Sequence, residues 1–146
     1  MSANSSRDPS HLVPLIWLAQ FGSVVLLMAL TWFLPDLMAI TPIAALSQAL
    51  LLAALLAAPA AFMLARWLMS GMASPRDRYD PLASAPIAPS PEARFVRYIL
   101  TLALCEIPAI LALIAVLTGA DPLQALGAGA TSLFLLLLWR RPVRRD

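Results

Sequence analysis

Apolar and polar residues fall along this chain in long blocks rather than in short alternation. Four apolar runs stand out: Leu12–Leu34, Ile43–Ala65, Tyr98–Thr118 and Leu123–Trp139. The first three match the ~20 residues needed to cross ~30 Å of hydrocarbon, and the fourth is short but adequate. In lipid, backbone groups must be satisfied within the segment, so these runs predict helices rather than buried strands. Their Leu and Ala content favours the same choice. The expected fold is all-α: a polytopic membrane protein with four transmembrane helices arranged as two hairpins.

The breaks between blocks carry helix-start chemistry. Asp8-Pro9, Thr41-Pro42, Ser90-Pro91 and Asp121-Pro122 each put an oxygen-bearing cap residue before a proline. Proline's missing N–H is harmless in a first helical turn. The pattern divides the chain into a disordered N-terminus at 1–10, a first hairpin at 11–72, a linker at 73–93, a second hairpin at 94–141 and a basic tail at 142–146. The linker is rich in Pro and Ser and reads as a flexible or polyproline-like tether, with partner docking as the alternative. Gly119-Ala120 joins the last two helices so tightly that they must be antiparallel neighbours, and Gly119 suits the left-handed position that ends a helix.

Small residues add a packing pattern. Ala45, Ala49, Ala53, Ala57, Ala61 and Ala65 recur at every fourth position of the second run. Such a ridge permits close helix approach in a membrane, although an Ala-rich composition alone also produces it. Pro59 interrupts the ridge, frees the carbonyl of Leu55 and predicts a bend. In the fourth run Ala125, Gly127 and Gly129 again permit close packing. A shift of 86 residues sets Gln20 on Glu106 and hints at a duplicated hairpin, yet only 4 of 23 positions from Leu15 to Leu37 are identical.

Composition and charge then fix class and orientation. With 61% hydrophobic and 12% charged residues and a mean hydropathy of +0.82, the chain lies outside the range of soluble domains. The net charge of +2 rests on ten arginines and no lysine. Arg7 precedes the first run; Arg66, Arg76, Arg78, Arg94 and Arg97 flank the linker; Arg140, Arg141, Arg144 and Arg145 follow the last run. The two other connections hold only Asp36 and Asp121. By the positive-inside rule both termini and the linker are cytoplasmic, which explains the basic balance without nucleic acid. The first run exceeds a signal-peptide core and has no small-x-small site after it, so it reads as an uncleaved helix. The expected location is a bacterial cytoplasmic (inner) membrane. Cys105, the single cysteine, excludes an internal disulfide and lies where cysteine most often simply packs.

One carboxylate lies inside an apolar run. Glu106 is eight residues in from Tyr98, about 12 Å deep at ~1.5 Å per residue. Gln20, Thr131, Ser132 and Pro59 count to similar depths from the same side, so these groups are expected to share one polar layer. In lipid such side chains turn inward and find each other. An anion at a helix centre costs about 2.5–3.5 kcal/mol on insertion scales, which favours the neutral acid. A protonated Glu106 would donate to Gln20 or to the Leu104 carbonyl, which Pro108 leaves without its donor. Three readings follow: a structural hydrogen-bond donor, a titratable proton or cation site, or one wall of a small-molecule cavity.

The stretch LALCEIPAILALIAVLTG, Leu102–Gly119, resembles the carboxylate helix of rotary ATP synthase c subunits. That resemblance implies a Glu106 that exchanges protons or cations. Those subunits pack through a Gly-repeat helix where this chain has alanines and Pro59, and their duplicated relatives carry the glutamate on the fourth helix. The layout also resembles small uncharacterised four-helix bacterial membrane proteins with an AExPAI third helix, a likeness that implies no function.

Other chemistry finds no footing. His11 is the only histidine and precedes the first run, and no Cys/His cluster has metal-ligand spacing. Phosphate loops and nucleophile elbows are absent. The expectation is therefore no enzyme and no cofactor. The chain reads as a structural or accessory membrane subunit, with a proton- or cation-coupled transporter component as the alternative. Its expected partners are the lipid bilayer and either further copies of itself or a membrane complex.

Overall fold

A computed structural model of the protein describes residues 12–38, 41–70 and 90–139. Within them the chain forms α1 (Val13–Leu37), α2 (Ala44–Ser70), α3 (Pro91–Leu117) and α4 (Pro122–Leu138). Three of these, α1, α2 and the Glu92–Leu117 stretch of α3, are long and apolar enough to cross a membrane. α4 has 17 residues, about 25 Å at 1.5 Å per residue. The N-terminal segment 1–10, the linker up to residue 89 and the basic tail 142–146 lie outside the described residues.

Two helix starts follow the expected capping chemistry and two do not. α1 begins at Val13 behind Leu12 with no side-chain cap, and α2 begins at Ala44, two residues past Pro42. Asp8-Pro9 lies outside the described residues. α3 begins at Pro91 rather than Tyr98, because Ser90 Oγ accepts the Ala93 N–H at 3.2 Å and Glu92 sits in the positive first turn. Asp121 starts α4 in the same way, accepting the Gln124 N–H at 3.3 Å. α2 runs past Ala65 to Ser70, since Arg66, Trp67, Leu68 and Met69 continue a helix readily although the apolar block is ending. α3 ends in a Schellman motif. Gly119 N–H bonds to Val116 O and Ala120 N–H to Ala115 O, both at 2.9 Å, with Gly119 at φ +96°.

The helices form a rhombus rather than two separate hairpins. α3 and α4 pack on each other and each also packs on α1 and on α2, while no Cα of α1 comes within 8 Å of one in α2. The α3–α4 pair is thus the short diagonal, and the expected first hairpin is a connected but unpacked pair. Its link crosses over the α3–α4 turn: Ile43 N–H donates to Thr118 O at 2.9 Å. A Cβ on Gly119 would lie 2.6 Å from Pro42 Cα, so this crossing needs glycine for space as well as for its positive φ. The start of α2 against the end of α3 makes those two antiparallel. α1 in turn sets Trp17 against Leu136 and Met28 against Gly129, so it is antiparallel to α4 and parallel to α3. Since α3–α4 packing has no counterpart in α1–α2, the two halves of the chain do not repeat one arrangement.

Two clusters fill the interior. One joins Val24 of α1, Ala61 of α2, Tyr98, Leu102, Cys105 and Ala109 of α3, and Leu135 and Leu136 of α4. The other joins Ala54 to Ala112, Val116, Ala125 and Ala128. The alanine ridge meets these clusters only in part. Ala61 and Ala65 are buried and Ala57 is half-buried, but Ala45, Ala49 and Ala53 are exposed. A four-residue step advances about 40° beyond a full turn, so the ridge winds around α2 instead of following one neighbour. The buried face runs through Ser47, Ala54, Ala61 and Ala65, mostly at seven-residue spacing.

Candidate functional site

Glu106 lies on the flank of α3 that faces α1, and it is half-buried there. Two α1 side chains reach it. The Gln20 amide Nε2 donates to Oε2, and the Ser23 hydroxyl donates to Oε1. Gln20 and Ser23 are three residues apart on one helix, so both project from the same face toward α3. Each carboxyl oxygen is therefore engaged from the neighbouring helix. The same trio also accommodates a protonated carboxyl, because a hydroxyl both donates and accepts and an amide offers oxygen as well as nitrogen.

The expected layer divides into separate contacts. Ser132 is fully buried, but its Oγ accepts the Ala109 N–H at 3.0 Å rather than meeting Glu106. The reason lies one residue away: Pro108 lacks an N–H and its ring disturbs the preceding turn, and the amide after it turns to α4. Thr131 bonds back to Ala128 O at 2.5 Å on its own helix and faces α2. Pro59 also lines that α2–α4 side. Equal depth thus placed these groups at one level, but not on one side of the bundle. Of the residues expected with Glu106, only Gln20 reaches it.

Ser23 is the member that depth counting left out. Its signal was available as helical spacing, since it sits three residues from Gln20 in an otherwise apolar run. A second tie joins α1 to α4. Trp17 Nε1 donates to Leu136 O at 2.9 Å, a carbonyl in the last turn of α4. Trp17 stacks on Phe21 with centroids 5.2 Å apart, which steadies its ring. Cys105 is fully buried in the larger cluster and acts as a small packed side chain.

Among the described residues no group of three His, Cys, Asp or Glu could hold a metal ion. What the arrangement can do is tie α1 to α3 through a carboxyl that keeps its partners in either protonation state. Comparison with known protein families, with curated proteins and with solved structures yields no match.

Proposed function

We propose that this chain is a structural or accessory subunit of a membrane, without catalytic activity, and that Glu106 ties its first helix to the rest of the bundle. The observation that carries this reading is the engagement of both carboxyl oxygens by α1 side chains. In lipid, helices lack a hydrophobic drive toward each other, so an interhelical hydrogen bond contributes to association, about 0.6 kcal/mol on average. Glu106→Gln is expected to keep fold and assembly, because its amide oxygen still accepts from one partner while the Ser23 hydroxyl or the Gln20 amide oxygen can accept from its NH2. Glu106→Leu is expected to loosen α1. Equal loss in both variants, measured as thermal stability in mild detergent, would show that the charge itself is needed.

In this reading α4 is a fourth, short span, and both termini and the linker face the cytoplasm of a bacterial inner membrane. Support comes from the ends of the bundle. Arg66 at the end of α2 and Arg94 and Arg97 at the start of α3 share one end, while Asp36 and Asp121 occupy the other. Single cysteines in place of Ser84 and Met38, in a Cys105→Ser chain, test the orientation. A membrane-impermeant thiol reagent added outside whole cells is expected to label Met38→Cys only; the reverse pattern inverts the topology.

A second reading, a proton- or cation-coupled transporter component, is favoured by one observation. Glu106 is half-buried rather than sealed, and its partners suit both protonation states. Under that reading Glu106→Gln assembles normally and abolishes ion flux into proteoliposomes.

A further inference from the structure

α2 and α4 run in one direction, since each is antiparallel to α3, and they leave an open recess of about 320 Å³ between them. Ala58, Pro59 and Phe62 of α2 face Phe134, Leu135 and Leu138 of α4 across it. Thr131 also borders it, but its hydroxyl is already bonded to the Ala128 carbonyl. The lining is therefore apolar, and the volume falls at the lower end of the ~300–1,000 Å³ of ligand clefts. A hydrocarbon chain suits such a slot. What that chain carries follows from the residue at the slot's inner mouth.

Arg66 stands four residues after Phe62 on α2, so the two share a face. A helical Cα–Cβ bond tilts toward the helix N-terminus, which starts the Arg66 stem over the Phe62 turn, on the recess side. Depth agrees with this placement. The Ile43 N–H bonds to Thr118 O at the outer end of the bundle. Ala58 and Phe62 are 15 and 19 residues from Ile43, about 23 and 29 Å at ~1.5 Å per residue. Arg66, at 23 residues, is about 35 Å away, just past the ~30 Å of hydrocarbon. The recess thus opens into the inner leaflet and Arg66 reaches headgroup level, beside the exposed Trp67. Arg66 is itself exposed and has no carboxylate partner among the described residues. Neither α2 nor this end of α4 carries an acidic side chain, and Glu92 is in the first turn of α3.

We propose that this recess binds one anionic phospholipid of the inner leaflet, with an acyl chain between Phe62 and Phe134 and the headgroup phosphate on Arg66. A guanidinium matches phosphate oxygens with paired N–H donors, and arginines beside the membrane add affinity for anionic lipid. A zwitterionic lipid fills the slot equally well, but its own cation competes with Arg66 for the phosphate. The comparable recess toward the outer end, between Leu51, Leu55, Gln124 and Gly127, has no cation at its edge and so lacks this selection. The site rests on the reading of the chain as an inserted subunit with the end of α2 at the cytoplasmic face, and it names one of that subunit's partners.

The test uses the full chain purified in dodecyl maltoside. Phosphatidylglycerol and phosphatidylcholine with identical acyl chains are added in equal amounts, and retained lipid is counted by native mass spectrometry. Wild type is expected to retain one phosphatidylglycerol about fivefold over phosphatidylcholine, the worth of one arginine at an anionic headgroup. Arg66→Gln is expected to abolish that preference. Arg94→Gln makes the same charge change on α3, which contributes nothing to the recess lining, and is expected to keep it. Phe134→Ala removes one wall and should weaken retention of both lipids about threefold. Glycerol phosphate, a phosphate headgroup without chains, should displace neither lipid. Equal retention of the two lipids by wild type, equal losses from Arg66→Gln and Arg94→Gln, or unchanged retention by Phe134→Ala would each overturn the site. Displacement by glycerol phosphate would do so too, by marking a site for free phosphate. Resistance to alkaline extraction from membranes is measured in parallel. Its loss overturns membrane insertion and the site with it, whereas insertion without a phosphatidylglycerol preference overturns the site alone.

Discussion

α1 and α2 pack on opposite flanks of the same α3–α4 pair, and they are held there by different physics. On the α1 flank only Val24 and Thr31 are buried. The attachment adds individual bonds, from Trp17 to the Leu136 carbonyl and from Gln20 and Ser23 to Glu106, to the packing of Val24, Ile16, Leu27 and Met28 against the larger cluster. On the α2 flank the buried positions are Ser47, Ala54, Ala61 and Ala65, and the Ser47 hydroxyl bonds back to Ala44 of its own helix at 3.0 Å. That flank is held by close backbone approach and van der Waals contact, the usual attraction between membrane helices. A helix held partly by polar ties is sensitive to chemistry as well as to shape. One fixed by alanines is sensitive to added volume and indifferent to charge.

The most damaging change is expected where the two flanks meet. Gly119→Ala puts a Cβ 2.6 Å from Pro42 Cα and forces a positive φ on a residue that resists it. A loss of about 3 kcal/mol or more is expected, read as a lower melting temperature in detergent. A variant that melts with wild type would mean the α1–α2 link does not cross the α3–α4 turn.

On the α2 flank, Ala61→Leu is expected to cost about 1–3 kcal/mol by overpacking. Ala49→Leu, at an exposed position of the same alanine repeat, should cost close to nothing. If reversible unfolding in bicelles ranks the two the other way, α2 is rotated from the orientation described.

On the α1 flank, Glu106→Leu strands the Gln20 amide and the Ser23 hydroxyl in an apolar seam. The expected loss is about 1–2 kcal/mol, with Glu106→Gln losing less than half of that. Protease access at the start of α1 reports it directly, and equal access in both variants would refute the hydrogen-bond tie.

The smallest effect belongs to Tyr98, whose hydroxyl is buried without a hydrogen-bond partner among the described residues. Because that hydroxyl contributes burial cost and no bond, Tyr98→Phe is expected to be neutral or to stabilise by up to about 1 kcal/mol. A clear loss of stability on calorimetry would reveal an internal water or other partner at that oxygen.

The number of helices, their breaks and the presence of one carboxyl inside an apolar run were legible in the residues alone, because each is a local property. Hydropathy sets where a run begins, and Ser90 and Asp121 cap helices with their own side chains. Gly119 marks a helix end by the φ that it alone adopts without strain. Angular position around a helix was not legible in the same way. Counting residues gives depth along the bundle axis, which is why Gln20, Thr131 and Ser132 appeared to share a layer with Glu106. Only the packing decided that Ser132 serves the Ala109 amide and that Thr131 faces α2. The same limit explains the alanine repeat, whose fourth-residue step winds about 200° from Ala45 to Ala65, so only one end of it reaches the core. Adjacency was open as well: a short link allows α1 and α2 to pack or to lie across a diagonal. The α3–α4 pair settled that choice by occupying the centre, with Pro42 crossing over Gly119.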